Sequence, residues 1–139
     1  MFIINFKKDN SYDNFLHKFL KRIYAKYKWY IDKNEIIIDY TQNIDYDFNE
    51  IFLLSEYYII SASIFAFKKN KNIQKINTYE QFKKSKNCTL IVLITDSVNV
   101  EVHCKKIVDL IKLLLSLFTI KHGNLKIDKN NRNRNNYEI

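Results

Sequence analysis

Glycine occurs once in these 139 residues and proline not at all, and there are only two cysteines, one methionine and one tryptophan. A single glycine excludes a glycine-rich phosphate loop in its usual form, because such a loop needs several positions where backbone meets ligand without side chains. With two cysteines, and with Met1 leading directly into the apolar residues 2–6 and not into a leader, a reducing compartment is expected. That places the protein in the cytoplasm. The most apolar run, residues 107–120, is interrupted by Asp109 and Lys112 and is too short to cross a bilayer, so it reads as a core helix and no membrane is expected. Three histidines, His17, His103 and His122, fall in different elements without ligand spacing. No metal and no cofactor are expected.

Acidic charge is in deficit overall, with 15 Asp and Glu against 23 Lys and Arg, but the distribution says more than the sum of +8. Residues 1–28 carry seven basic groups against two acids and residues 59–87 seven against one, whereas residues 29–58 carry one Lys against seven acids. Heavy use of Lys, Asn, Ile and Tyr, with 20 Lys and 17 Asn, is what an AT-rich genome encodes. A basic excess of that origin speaks to solubility and general attraction, not to a specific partner.

The clearest structural signal lies between Cys88 and Cys104. Residues 90–94 are apolar at every position, as in a strand covered on both faces, while Val98, Val100, Val102 and Cys104 alternate with polar residues. Asp96, Ser97 and Asn99 are turn formers, so a tight hairpin joins the two. Residues 2–6 form a first strand. Asn10 or Ser11 caps a helix whose apolar positions Phe15, Phe19, Ile23 and Tyr27 recur every three or four residues. Residues 29–32 and 35–40 flank Lys33-Asn34, which predicts a second hairpin. Residues 41–56 read as a loop and one helical turn, and residues 57–67 return to strand. Asn77 and Glu80 have the spacing of a capping box before a short helix over 78–84. A last helix spans 105–122, and Gly123 stands where a left-handed helix stop needs it. Residues 125–127 add an edge strand.

The fold class is therefore α+β: a mostly antiparallel sheet of five to seven strands with two longer helices and one short helix in a single layer. One domain covers 1–128, and 129–139 is a polar, flexible tail. The expected core is Phe15, Phe19, Ile23, Ile37, Ile60, Leu90, Val92, Ile94, Val100, Val102, Leu110 and Leu114.

Candidate chemistry is thin. Glu101 and His103 share a strand face, an arrangement that can orient an imidazole, but no nucleophile accompanies them and a polar strand face is the commoner reading. Cys104 adjoins His103 on the opposite side of the strand. Both cysteines read as free, buried, small hydrophobes, although a bridge across the hairpin is conceivable. Asp32, Glu35, Asp39 and Asp45 lack the spacing and the glycine of a calcium loop. No enzyme is expected.

Several short motifs resemble a family of small uncharacterised bacterial proteins of Bacilli and Clostridia, catalogued as a domain of unknown function. They are Tyr27-Lys-Trp-Tyr-Ile31, Thr78-Tyr-Glu-Gln-Phe82, Asp96-Ser97, Val102-His-Cys-Lys105, and the pattern of Asp128, Asn130, Arg132 and Arg134. The family tends to place Thr between the two arginines, where this chain has Asn133. The resemblance implies no activity and carries no functional residues.

Two functions from different classes remain. In the first, the chain is a small cytosolic protein-interaction module of the immunity or antitoxin kind. Its contact surface is centred on Trp29, Asp39, Asp45, Asp47 and Glu50, which join aromatic anchors to acidic charge for a basic partner. In the second, basic residues of helix one, of residues 68–86 and of the tail converge on one face. There Lys18, Lys21, Lys83, Lys84, Arg132 and Arg134 grip nucleic-acid phosphates without sequence preference. No helix-turn-helix or aromatic ribonucleoprotein motif supports the second.

Overall fold

A computed structural model describes residues 1–40, 42–43 and 46–129. Asp45, Arg132 and Arg134 thus lie outside the described residues. The elements are β1 (Phe2–Lys8), α1 (Phe15–Leu20), β2 (Tyr27–Ile38), β3 (Gln42–Asn43), α2 (Phe48–Leu53), β4 (Tyr58–Lys68), α3 (Tyr79–Lys84), β5 (Cys88–Thr95), β6 (Asn99–Cys104), α4 (Ile107–Leu117) and β7 (His122–Lys129). All seven strands join one sheet in the order β3-β2-β4-β5-β6-β1-β7, and every pairing is antiparallel. The α+β architecture expected from the residue pattern is the one found.

β5 sits at the middle, as its unbroken apolar run requires. Leu90, Val92 and Ile94 face one side and pack with α1, α2 and α4, while Cys88 and Ile91 face the other with Phe65, Phe67, Ile76 and Phe82. The helices therefore form two covers and not a single layer. Phe82 carries α3 onto the second face, because Phe65, Phe67 and Ile91 leave that face too apolar to remain wet. The β5–β6 hairpin closes as expected, with Thr95 opposite Asn99 and with Asp96 and Ser97 both at positive φ, 52° and 66°.

Lys33-Asn34 does not turn the chain. Asp32 pairs with Ser63 and Glu35 with Ser61, so both flanks lie on the same partner strand and the extra residue is a bulge, with Lys33 at φ 45°. A compensating shift follows on β4 at Ile60, whose carbonyl accepts the Ser97 N–H at 2.9 Å. Each bulge reverses which side chains face the helices. This is why Ile36, Ile38 and Ile59 are buried where Ile37 and Ile60 were expected, and both of these are only half-buried. Leu114 is likewise half-buried, and the other nine expected core residues are buried.

Among the described residues one helix is long, not two. α1 ends after six residues, and a single 3₁₀ turn at Tyr24–Lys26 hands the chain to β2. Its start is closed not by Asn10 or Ser11 but by Asp13, which accepts the Phe15 N–H at 3.0 Å, and by the buried Tyr57 hydroxyl, which accepts the Leu16 N–H at 2.9 Å. At α3 the capping box is one residue later than expected, formed by Thr78 and Gln81. Gly123 lies within β7 with nothing within 4 Å of a Cβ, and Asn124 takes the left-handed conformation at φ 55°. α4 ends without it, through 3₁₀-type bonds from the N–H groups of Phe118, Thr119 and Ile120.

Two substitutions test this packing by thermal melting. Val92→Asp should cost more than about 4 kcal/mol, because it buries an unpaired charge at a position with no exposure. Gly123→Ala should raise stability by about 0.5 kcal/mol, since the position needs neither a positive φ nor empty space.

Candidate functional site

The acidic segment folds around its aromatic residues, but not with Trp29 outside. Trp29 is 7% exposed, stacks on Phe48 at 4.9 Å, and donates its indole N–H to the Tyr24 carbonyl at 2.9 Å. As an interior residue it supplies no contact anchor. Alternation in a strand could have revealed this, since Tyr27, Trp29 and Ile31 share one face and that face meets the helices.

Tyr40 takes the exposed place. It follows Asp39 at the end of β2, both at positive φ of 58° and 62°, and this turn throws the Tyr40 ring outward to 67% exposure. The ring packs on Tyr12 at 4.0 Å, and Tyr12 packs on Tyr58 at 5.3 Å. Its hydroxyl donates to Glu56 at 2.6 Å, which also holds its pKa above the ordinary tyrosine value, and Tyr58 donates to Asn10. A large ring is thereby held nearly rigid in water beside the exposed Asp39 and Glu56. Asp47 and Glu50 are exposed on α2, where the Asp47 carboxylate caps the helix by accepting the Glu50 N–H at 2.9 Å. Leu53 at the end of α2 is 76% exposed.

Among the described residues the two predicted groups of lysines do not gather. Lys18, within α1, and Lys21, at its end, are on one side of the sheet, and Lys18 is paired with Asp13 at 3.2 Å. Lys83 and Lys84 are on α3 on the other side, Lys84 paired with Glu80 at 3.1 Å. The expected convergence of these two groups on one face is thus corrected by the topology, which the charge count along the chain does not encode.

Beneath α3 the strand face of β6 carries Glu101 and His103, and Lys105 follows directly after the strand. The Tyr79 hydroxyl donates to Glu101 at 2.8 Å, and the Tyr79 ring lies 4.4 Å from the His103 ring. His103 is fully buried, and its Nε2 stands 3.4 Å from Glu101 without the direction of a hydrogen bond. An imidazole closed off in this way has no approach for a substrate. The Lys105 ammonium donates to the carbonyls of Phe82, Ser85 and Cys88 at 2.5, 2.6 and 2.8 Å and lies 4.3 Å over the Phe82 ring. All three of its protons are used to anchor the end of α3, while burial lowers its pKa.

Cys88 and Cys104 are free and buried on opposite faces of the sheet, and burial raises both thiols, to about 12 and about 11. They are small hydrophobes without reactive thiolate. Among the described residues no group of three or more His, Cys, Asp and Glu is placed to hold a metal ion, and no helix is long and apolar enough to cross a membrane.

A family model described as "Protein of unknown function (DUF2691)" matches residues 1–138. The chain belongs to this family. It is also similar to "Uncharacterized protein YncE" of Bacillus subtilis (strain 168), with 30% identity over 115 residues that span 73% of this chain and 74% of the relative. No solved structure matches significantly. In this member of the family, the residues carrying the motif resemblance are largely structural. Trp29 and Phe82 fill the core, Thr78 and Gln81 cap α3, Asp96 and Ser97 turn the hairpin, and Lys105 anchors α3.

Tyr27 belongs to the same set. Its hydroxyl donates to the fully buried Asp109 of α4, which also receives Lys26 at 2.9 Å. Lys26→Met should cost about 3 kcal/mol in chemical denaturation, because it leaves the buried carboxylate with a single neutral donor. Burial first, then the bond to Asp109, raises Tyr27 above 10.0; for Lys26 burial opposes the charge, but the bonds to Asp109 and Tyr27 outweigh it and raise the pKa above 10.5. Both contributions are complete below those values and disappear as pH rises through the higher folded ones. The melting temperature should therefore fall above about pH 10, and less steeply in Asp109→Asn.

Proposed function

We propose that this chain is a small cytosolic protein-interaction module, of the immunity or antitoxin kind, whose contact surface is the acidic and aromatic face around Tyr40. One observation carries the reading: Tyr40 is 67% exposed yet fixed by Tyr12 and Glu56. A rigid aromatic ring that loses little freedom on association is the form a contact anchor takes. Glu56 and Asp39 stand beside it and Asp47 and Glu50 are exposed on the same acidic segment inside a basic chain, so the partner it suits is a basic protein surface. Leu53 adds an apolar contact at the end of α2.

The partner is retrieved on the immobilised chain from its native host and its binding is followed in real time. In the triple variant Asp39→Asn, Asp47→Asn, Glu50→Gln, association should slow about tenfold at low salt and lose most of its salt dependence. Asn at position 47 retains the helix cap, so the fold is kept. Tyr40→Ala should instead raise the dissociation rate, by at least about tenfold. Unchanged rates in both variants would sink the proposal, as would retrieval of nucleic acid in place of a protein.

A further inference from the structure

α4 is apolar almost all the way round, and only half of it is used. Leu110, Leu113 and Leu117 enter the core. Ile107, Val108, Ile111, Leu115 and Phe118 remain exposed, Phe118 by 85%, and at 3.6 residues per turn they fall on one arc about 100° wide. Among the described residues β7 is an open edge of the sheet, and each of its residues is exposed. Ile127 lies opposite Ile4, so it and Leu125 point to the same side of the sheet as α4. These seven side chains, each at least 40% exposed, amount to several hundred Å² of apolar surface, near the ~800 Å² per partner that a stable interface covers. The other end of the sheet differs: there Tyr27, Trp29 and Ile31 are buried under helices, and β2, which β3 pairs with only at Ile37 and Ile38, is broken by the bulge at Lys33.

We propose that a second copy of this chain covers this surface, with β7 pairing antiparallel to β7 of the second copy about a two-fold axis at Ile127. Charge selects that register. Centred on Ile127, each Lys126 lies directly opposite Asp128 of the second copy, twice over, with both pairs on the face away from α4. Centred one residue either way, Lys126 meets Lys126 or Asp128 meets Asp128. Centred on Leu125, the pairing runs across the irregularity at Asn124, whose φ is 55°. A two-fold of this kind keeps both helix layers on the same side of a continuous sheet. The outer arcs of the two α4 helices then close over Leu125 and Ile127 of each copy.

Sedimentation equilibrium on the full chain should give twice the chain mass at micromolar concentration. Phe118→Asp and Ile127→Lys should each weaken association at least tenfold with an unchanged circular dichroism spectrum, since both side chains lie outside the core. Ile127→Cys should oxidise to a covalent dimer, because residues opposed across an antiparallel pair are about 5 Å apart. Leu125→Cys should not, because that register separates the two thiols by roughly 14 Å. The native cysteines are buried and do not compete. A monomer at all concentrations, an undiminished dimer in Phe118→Asp, or equal cross-linking at 125 and 127 would each overturn the proposal; the first would assign the apolar face to another partner.

Discussion

A strand with apolar side chains on both sides needs two separate covers, and β5 imposes that requirement on the whole chain. Leu90, Val92 and Ile94 are met by α1, α2 and α4, while Ile91 and Cys88 are met by α3 and the segment leading to it. The second cover is small, and polar anchors hold it. Lys105 ties the end of α3 to the sheet through three carbonyls, the Thr78 and Gln81 capping box closes its start, and Tyr79 reaches Glu101. Without those bonds a helix of six residues would have little reason to persist.

The parts legible in the residue order are those governed by local pattern. The unbroken run at 90–94 and the alternation that follows it specify the central hairpin, and the long apolar stretch after Lys106 specifies α4. The bulges in β2 and β4 were not legible, because an αL lysine at position 33 leaves no compositional mark and because two polar residues between apolar runs also describe a turn. Ile37 and Ile60 were misplaced for this reason alone. Helix one was overextended because apolar spacing at Phe15, Phe19, Ile23 and Tyr27 continues past the point where the chain enters β2. Gly123 stops no helix, because α4 closes earlier through 3₁₀-type bonds and the left-handed position is Asn124, inside β7.

At the surface, the same logic separates charge that stabilises from charge that remains available. Lys26, Lys105 and Asp109 are bound within the fold, and the buried Asp109 needs its partners. Asp39, Asp47 and Glu50 remain at the exterior of the segment that carries Tyr40, where their negative charge attracts a basic protein. β7 lies at the far end of the sheet from β2, whose end carries Tyr40, so self-association through β7 and partner contact need not compete. Family membership assigns neither surface a role.

Native-state hydrogen exchange, read amide by amide, tests the two-cover account most directly. If β5 is sealed on both faces, the amides of residues 90–94 should exchange only through global unfolding, with protection equal to the stability measured by denaturant. Lys105→Met should then lower protection within α3 and along the second face before it lowers that of α4. Amides of β5 exchanging as fast as those of an edge strand, or an Lys105→Met variant in which α3 keeps its protection, would contradict it.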